Sequence, residues 1–181
     1  MYALNERKKR ILSAGKGCAY LAVFVALTIA AQLCLSAIPG VEVVTVLFVS
    51  FAFSFGVWQG VLAATAFSLL RQFIFGFLPN VLILYLVYYN LLAMLFGFLG
   101  RKMKNPLRKL WLLVLLACFC TVCFTLLDDI ITPLWYSYTS KAARAYFYAS
   151  FTIMIPQVIC TAVTVGLLFL PLRKVFVLVK R

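Results

Sequence analysis

The chain has 181 residues, of which 66% are hydrophobic and only 12% charged, with a mean hydropathy of +1.09. A soluble domain of this length has too little interior to hide so much apolar surface, so lipid is the expected solvent. The formal charge of +13, from 17 Lys and Arg against 4 Asp and Glu, would indicate nucleic acid in a soluble protein. In an apolar chain it reads instead as membrane topology, and no nucleic-acid partner is expected.

In chain order, Glu6-Arg7-Lys8-Lys9-Arg10 precedes an apolar stretch of full spanning length followed by further spans, so no cleavable signal is expected. The first span is predicted over 18–38, stopped by Pro39-Gly40. The stretch 41–78 is too long for one crossing, and Gly56-Val57-Trp58-Gln59-Gly60 breaks it into two shorter spans, 41–56 and 60–78. After Pro79-Asn80 a fourth span covers 81–99, then a basic loop over 101–109 leads to a fifth at 110–131. A polar and aromatic loop is expected from Thr132 to about Tyr146, and a last span over 147–172, with Pro156 kinking that helix or starting it late. The fold class expected is therefore all-α: a single polytopic domain over 1–181 with six transmembrane helices.

The charges support an even number of crossings. With both termini cytoplasmic, Arg7, Lys8, Lys9, Arg10, Lys16, Arg101, Lys102, Lys104, Arg108, Lys109, Arg173, Lys174, Lys180 and Arg181 all fall on one side. Of the 17 basic residues this leaves only Arg71, Lys141 and Arg144 elsewhere, as the positive-inside rule requires. Cys18, Cys34, Cys118, Cys120, Cys123 and Cys160 all lie in apolar stretches, and the chain has no histidine. They read as small packing residues rather than metal ligands, and no cofactor is expected.

Three of the four acidic residues, Glu42, Asp128 and Asp129, lie at the outer ends of spans. The same side receives Arg71, Gln72, Asn80, Tyr85, Tyr88, Tyr89, Asn90, Trp135 and Gln157, so a polar, aromatic-lined cavity open to the outside is expected there. An ionised Arg71 facing lipid would cost at least about 2.5–3.5 kcal/mol. It therefore pairs with Glu42, Asp128 or Asp129, meets a ligand, or snorkels to the interface. Tyr85 is explained by an aromatic belt at the membrane surface, whereas Tyr88 and Tyr89 lie deeper and are expected to face the cavity. On the first span, Ala22, Ala26 and Ala30 form a narrow strip of small residues, either packing within the molecule or admitting a partner helix.

Together these features resemble the substrate-binding subunit, or S component, of energy-coupling factor (ECF) transporters, which import vitamins and related micronutrients into bacteria and archaea. The residues that carry the resemblance are the alanines at 22, 26 and 30, the run Ile38-Pro39-Gly40-Val41-Glu42-Val43-Val44-Thr45, and the turn Phe55-Gly56-Val57-Trp58-Gln59-Gly60. The resemblance implies that Ala22, Ala26 and Ala30 dock a transmembrane coupling subunit, and that a micronutrient pocket lies near the outer face of the cell membrane. It also implies two cytoplasmic ATPases as partners, since this sequence has no G-x-x-x-x-G-K-[ST] phosphate loop and is not expected to be an enzyme. Three outer carboxylates against one deep arginine lean toward a ligand with cationic character. Asp128-Asp129 lacks the second acidic motif that a metal-dependent prenyl-transfer enzyme requires. The alternative is a non-transporting membrane scaffold of the rod-shape subunit type, which has little use for Arg71, Gln72 and Asn90 at membrane depth.

Overall fold

The computed structural model describes the backbone of residues 2–38, 41–103 and 106–180, and the side chains of 15–38, 41–103 and 106–179. Pro39-Gly40, Lys104 and Arg181 lie outside the described residues, as do the side chains of Arg7, Lys8, Lys9, Arg10 and Lys180. The described chain is helical: α1 (Tyr2–Leu35), α2 (Val44–Phe55), α3 (Val57–Phe75), α4 (Pro79–Lys102), a 3-10 turn (Leu107–Lys109), α5 (Leu110–Trp135) and α6 (Ser140–Lys180). Among the described residues, four segments are long and apolar enough to cross a membrane: Gly15–Leu35, Pro79–Lys102, Leu107–Trp135 and Ser140–Val179. Large apolar side chains such as Phe73, Phe119, Leu167 and Leu178 project outward from the bundle, as a lipid-solvated surface requires.

The centre of the bundle is α2. Its residues 44–53 are all buried, and it packs against each of the other five helices. A 12-residue helix rises only about 18 Å, less than the ~30 Å of a hydrocarbon core, so α2 is surrounded by protein rather than lipid along most of its length. Its phenylalanines build the core: Phe51 stacks on Phe24 at 4.0 Å, and Phe48 meets Phe24, Phe67 and Tyr89 at 5.3, 5.2 and 4.8 Å.

Glycines set how closely the helices approach. Gly56 has φ +94°, a backbone that residues with a Cβ rarely adopt, and this single residue separates α2 from α3. Its N–H donates to the Ala52 carbonyl at 2.8 Å, and its own carbonyl accepts from Gly60 at 3.0 Å, so one glycine closes the first helix and opens the next. Against this turn runs α4, where a Cβ on Gly97 would lie 2.6 Å from the Val57 nitrogen and one on Gly100 would strike the Phe53 carbonyl. Gly76, with φ +92°, ends α3, and Pro79 starts α4 in its first turn, the position where its missing N–H costs nothing.

Two differences from the sequence expectation concern the last two helices. The loop expected over 132–146 is only 136–139, because α5 continues to Trp135 and α6 begins at Ser140. The Thr139 hydroxyl accepts from the Ala142 N–H at 3.4 Å, capping α6, and the alanines that follow are strong helix formers despite Lys141 and Arg144. Pro156 does not delay the helix either: α6 runs through both Pro156 and Pro171. At 41 residues it is about 60 Å long, twice a hydrocarbon core, so it reaches past the apolar layer.

Candidate functional site

All six helices, or the segments leading into them, contribute to one cavity of about 500 Å³, within the range of small-molecule pockets. It lies at the end of the bundle formed by the C-terminal ends of α1, α3 and α5 and the N-terminal parts of α2, α4 and α6. Lys16, Arg101, Lys102, Arg108, Lys109, Arg173 and Lys174 belong to the opposite ends of these helices.

Five of the residues singled out in the sequence line this cavity: Glu42, Arg71, Tyr85, Asp128 and Gln157. Arg71, near the end of α3, is half-buried, and its Nε donates to Gln32 Oε1 at 3.1 Å. The flat guanidinium lies 4.2 Å from the centre of the Tyr85 ring and 4.6 Å from that of Phe75. Gln32 in turn donates from Nε2 to the Tyr85 hydroxyl at 3.0 Å, so one amide orients both the cation and the ring beneath it. Among the described residues no carboxylate forms an ion pair with Arg71. The expected pairing with Glu42, Asp128 or Asp129 is not formed; in its place the protein supplies the Gln32 amide and the aromatic faces of Phe75 and Tyr85.

Glu42 sits just before α2, where a carboxylate is also favoured by the helix dipole. Its Oε1 accepts from Thr45 Oγ1 at 3.1 Å and from the Tyr89 hydroxyl at 3.0 Å, and its Oε2 from Gln157 Nε2 at 2.7 Å. Its backbone is held as well, with the N–H directed to Cys160 Sγ at 3.4 Å and that thiol placed 3.5 Å from the Glu42 carbonyl. Asp128 takes one donor on each oxygen: Thr132 Oγ1 on Oδ1 and the Tyr146 hydroxyl on Oδ2, both at 2.7 Å. The carboxylates are therefore fixed by hydroxyls and an amide, all uncharged.

The remaining singled-out residues stand behind the cavity or apart from it. Asn80 is buried and donates to Thr132 Oγ1 at 3.2 Å, supporting the threonine that holds Asp128. Asp129 accepts from Ser150 Oγ at 2.8 Å, a bond between α5 and α6. Gln72, one residue and about 100° round the helix from Arg71, accepts from the Leu78 N–H at 3.1 Å and braces the α3–α4 turn. Asn90 does not line the cavity: its Oδ1 accepts from Thr65 Oγ1 at 3.2 Å, joining α3 to α4, and its Nδ2 donates to the Leu86 carbonyl of its own helix at 2.8 Å. Trp135 is half-exposed at the end of α5. Of the three tyrosines expected at the cavity, Tyr85 lines it, whereas Tyr88 and Tyr89, the two expected to face it from deeper in the helix, are buried in the core. Tyr89 still bears on the site through its bond to Glu42, while Tyr88 is buried behind it.

Sequence reasoning did not identify Gln32, Phe75, Phe124, Tyr146 or Ser150, all of which line the cavity. Gln32 carried a readable signal, since it is the one amide in an otherwise apolar first span. Tyr146 was placed at the end of a loop that is in fact helix. The alanine strip also has a clear position: Ala22, Ala26 and Ala30 are exposed on the outside of α1, while Phe24, Val25, Thr28 and Ile29 on its other face are buried. Comparison with protein families, curated proteins and solved structures returns no match to this chain.

Proposed function

We propose that this chain is a substrate-binding membrane subunit of the S-component type, which captures a vitamin or related micronutrient in the cavity for ATP-driven uptake by partner proteins. The observation that carries the reading is the cavity itself: about 500 Å³, lined by an arginine seated on two aromatic faces and by two carboxylates. A scaffold gains nothing from holding three ionised groups around an opening at membrane depth, because each costs several kcal/mol to desolvate. A binding protein gains specificity from them, since a few fixed polar groups in an apolar pocket select among small molecules.

In this reading α2 and α3 form a hairpin of two shorter crossings, which completes six, and both termini are cytoplasmic. The positive-inside rule then puts the basic ends of the helices inside and the cavity at the outer face of a bacterial or archaeal cell membrane. The exposed strip of Ala22, Ala26 and Ala30 docks the transmembrane coupling subunit, since small residues allow close helix approach. Two cytoplasmic ATPases supply the energy, and the chain itself performs no catalysis.

The test is a thermal-shift panel of vitamins and their precursors on the full chain in mild detergent. A compound that stabilises the protein at micromolar concentration, and no longer does so for Arg71→Ala, supports capture. A protein indifferent to the whole panel favours the membrane scaffold instead.

A further inference from the structure

We infer that the molecule taken up by this cavity carries both an acidic and a basic group, the acid meeting Arg71 and the base meeting Glu42 and Asp128. This rests on the capture reading above and narrows it to a chemical class.

Arg71 has an unused edge. Phe75 and Tyr85 lie 4.6 and 4.2 Å from the guanidinium carbon, and Nε is spent on Gln32. A guanidinium has five N–H donors, and one is used, which leaves the two Nη groups without an acceptor among the described residues. They belong to a residue that lines the cavity. A planar fork of this kind pairs best with a carboxylate or phosphate, through two parallel hydrogen bonds.

The carboxylates lack a cation among the described residues. Glu42 and Asp128 line the same cavity, and every side chain that bonds them is neutral: Thr45, Tyr89 and Gln157 on one, Thr132 and Tyr146 on the other. Each carboxylate oxygen can accept about two hydrogen bonds, and both Asp128 oxygens have taken one. A protonated amine supplies both the donors and the charge. An anionic ligand without such a group would add a negative charge to a wall that already carries two against one arginine. A cationic ligand without an acid would leave the arginine fork unpaired. The lining also includes Val44, Phe124 and Ile153, which suits an apolar or aromatic part of the ligand. The shared chemistry is thus a singly charged acid and an amine in one molecule, from either a water-soluble amino-acid-like compound or the headgroup of phosphatidylethanolamine.

The test compares matched triplets on the full chain in detergent: L-tryptophan with tryptamine and indole-3-propionate, and 4-(aminomethyl)benzoate with 4-methylbenzylamine and 4-methylbenzoate. In a triplet that engages the cavity, the doubly charged member should bind at least ten-fold more tightly than either singly charged one. Arg71→Gln should reduce it to the level of its amine, and Asp128→Asn to the level of its acid; either variant alone suffices if the other does not fold. A singly charged member binding as well, or an advantage that survives these variants, overturns the inference while leaving capture intact. If no triplet binds, the compound released on denaturing the purified protein decides. A compound bearing both groups upholds the inference, stoichiometric phosphatidylethanolamine identifies the lipid as its source, and a neutral or singly charged compound overturns it. A protein that is empty and unresponsive removes the capture reading and the inference with it.

Discussion

At the residue scale the site depends on the linked group of Gln32, Arg71 and Tyr85 and on Glu42. Lysine at position 71 keeps the charge but loses both the fork and the flat faces that rest on Tyr85 and Phe75. Arg71→Lys should therefore weaken ligand binding by about ten-fold or more, as read by equilibrium binding, with little change in the thermal midpoint of the empty protein; equal affinity would remove the fork from the account. Glu42 differs, because three side-chain donors converge on it before any ligand arrives. In Glu42→Gln the charge-assisted bonds from Thr45, Tyr89 and Gln157 become neutral ones and Gln157 must turn its amide over to keep its own, which should destabilise the empty protein by about 1–3 kcal/mol and lower its midpoint in detergent. An unchanged midpoint would mean that those bonds contribute little. The sequence led to Glu42, Arg71 and Asp128 because ionised groups at membrane depth are costly and conspicuous. It did not lead to Tyr85 over Tyr88 and Tyr89, because successive residues turn about 100° round a helix and the facing direction is set only by packing.

At the element scale, close approach of α4 to the α2–α3 turn is the most sharply defined packing feature. Gly97→Ala places a methyl 2.6 Å from the Val57 nitrogen, where the obstacle is backbone that cannot rotate aside. Loss of about 1–3 kcal/mol and a poorly monodisperse protein on size exclusion are expected. Gly166→Ala is the matched control, since its methyl meets nothing within 4 Å and alanine is the better helix former. If the two variants behave alike, this contact does not limit stability. On α1, Ala26→Trp enlarges the exposed strip without touching the core, so it should leave folding and ligand binding unchanged and abolish co-purification with the proposed coupling subunit. Retained co-purification would move the docking surface elsewhere. The breaks at Gly56 and Pro79 were legible because glycine and proline act locally. The start of α6 was misread because its charges resemble a loop while its alanines and the Thr139 cap favour helix.

At the scale of the whole molecule, the composition and the basic residues identify a membrane bundle, but not the cavity. The cavity unites Gln32, Arg71, Asp128 and Gln157, which are tens of residues apart, and their convergence depends on how the other five helices pack around α2. Orientation can be checked directly with a membrane-impermeant maleimide on intact cells, in a background lacking the native cysteines. Ser137→Cys, in the turn between α5 and α6, should label, and Lys174→Cys, at the far end of α6, should not. The reverse pattern would turn the cavity toward the cytoplasm and exclude capture from outside. The most direct test of capture itself is to purify the chain from cells grown in rich medium, denature it, and identify what is released by mass spectrometry. The account predicts one small molecule in near-stoichiometric amount, absent from Arg71→Ala preparations; a wild-type protein that is consistently empty and binds none of the vitamin panel would contradict it.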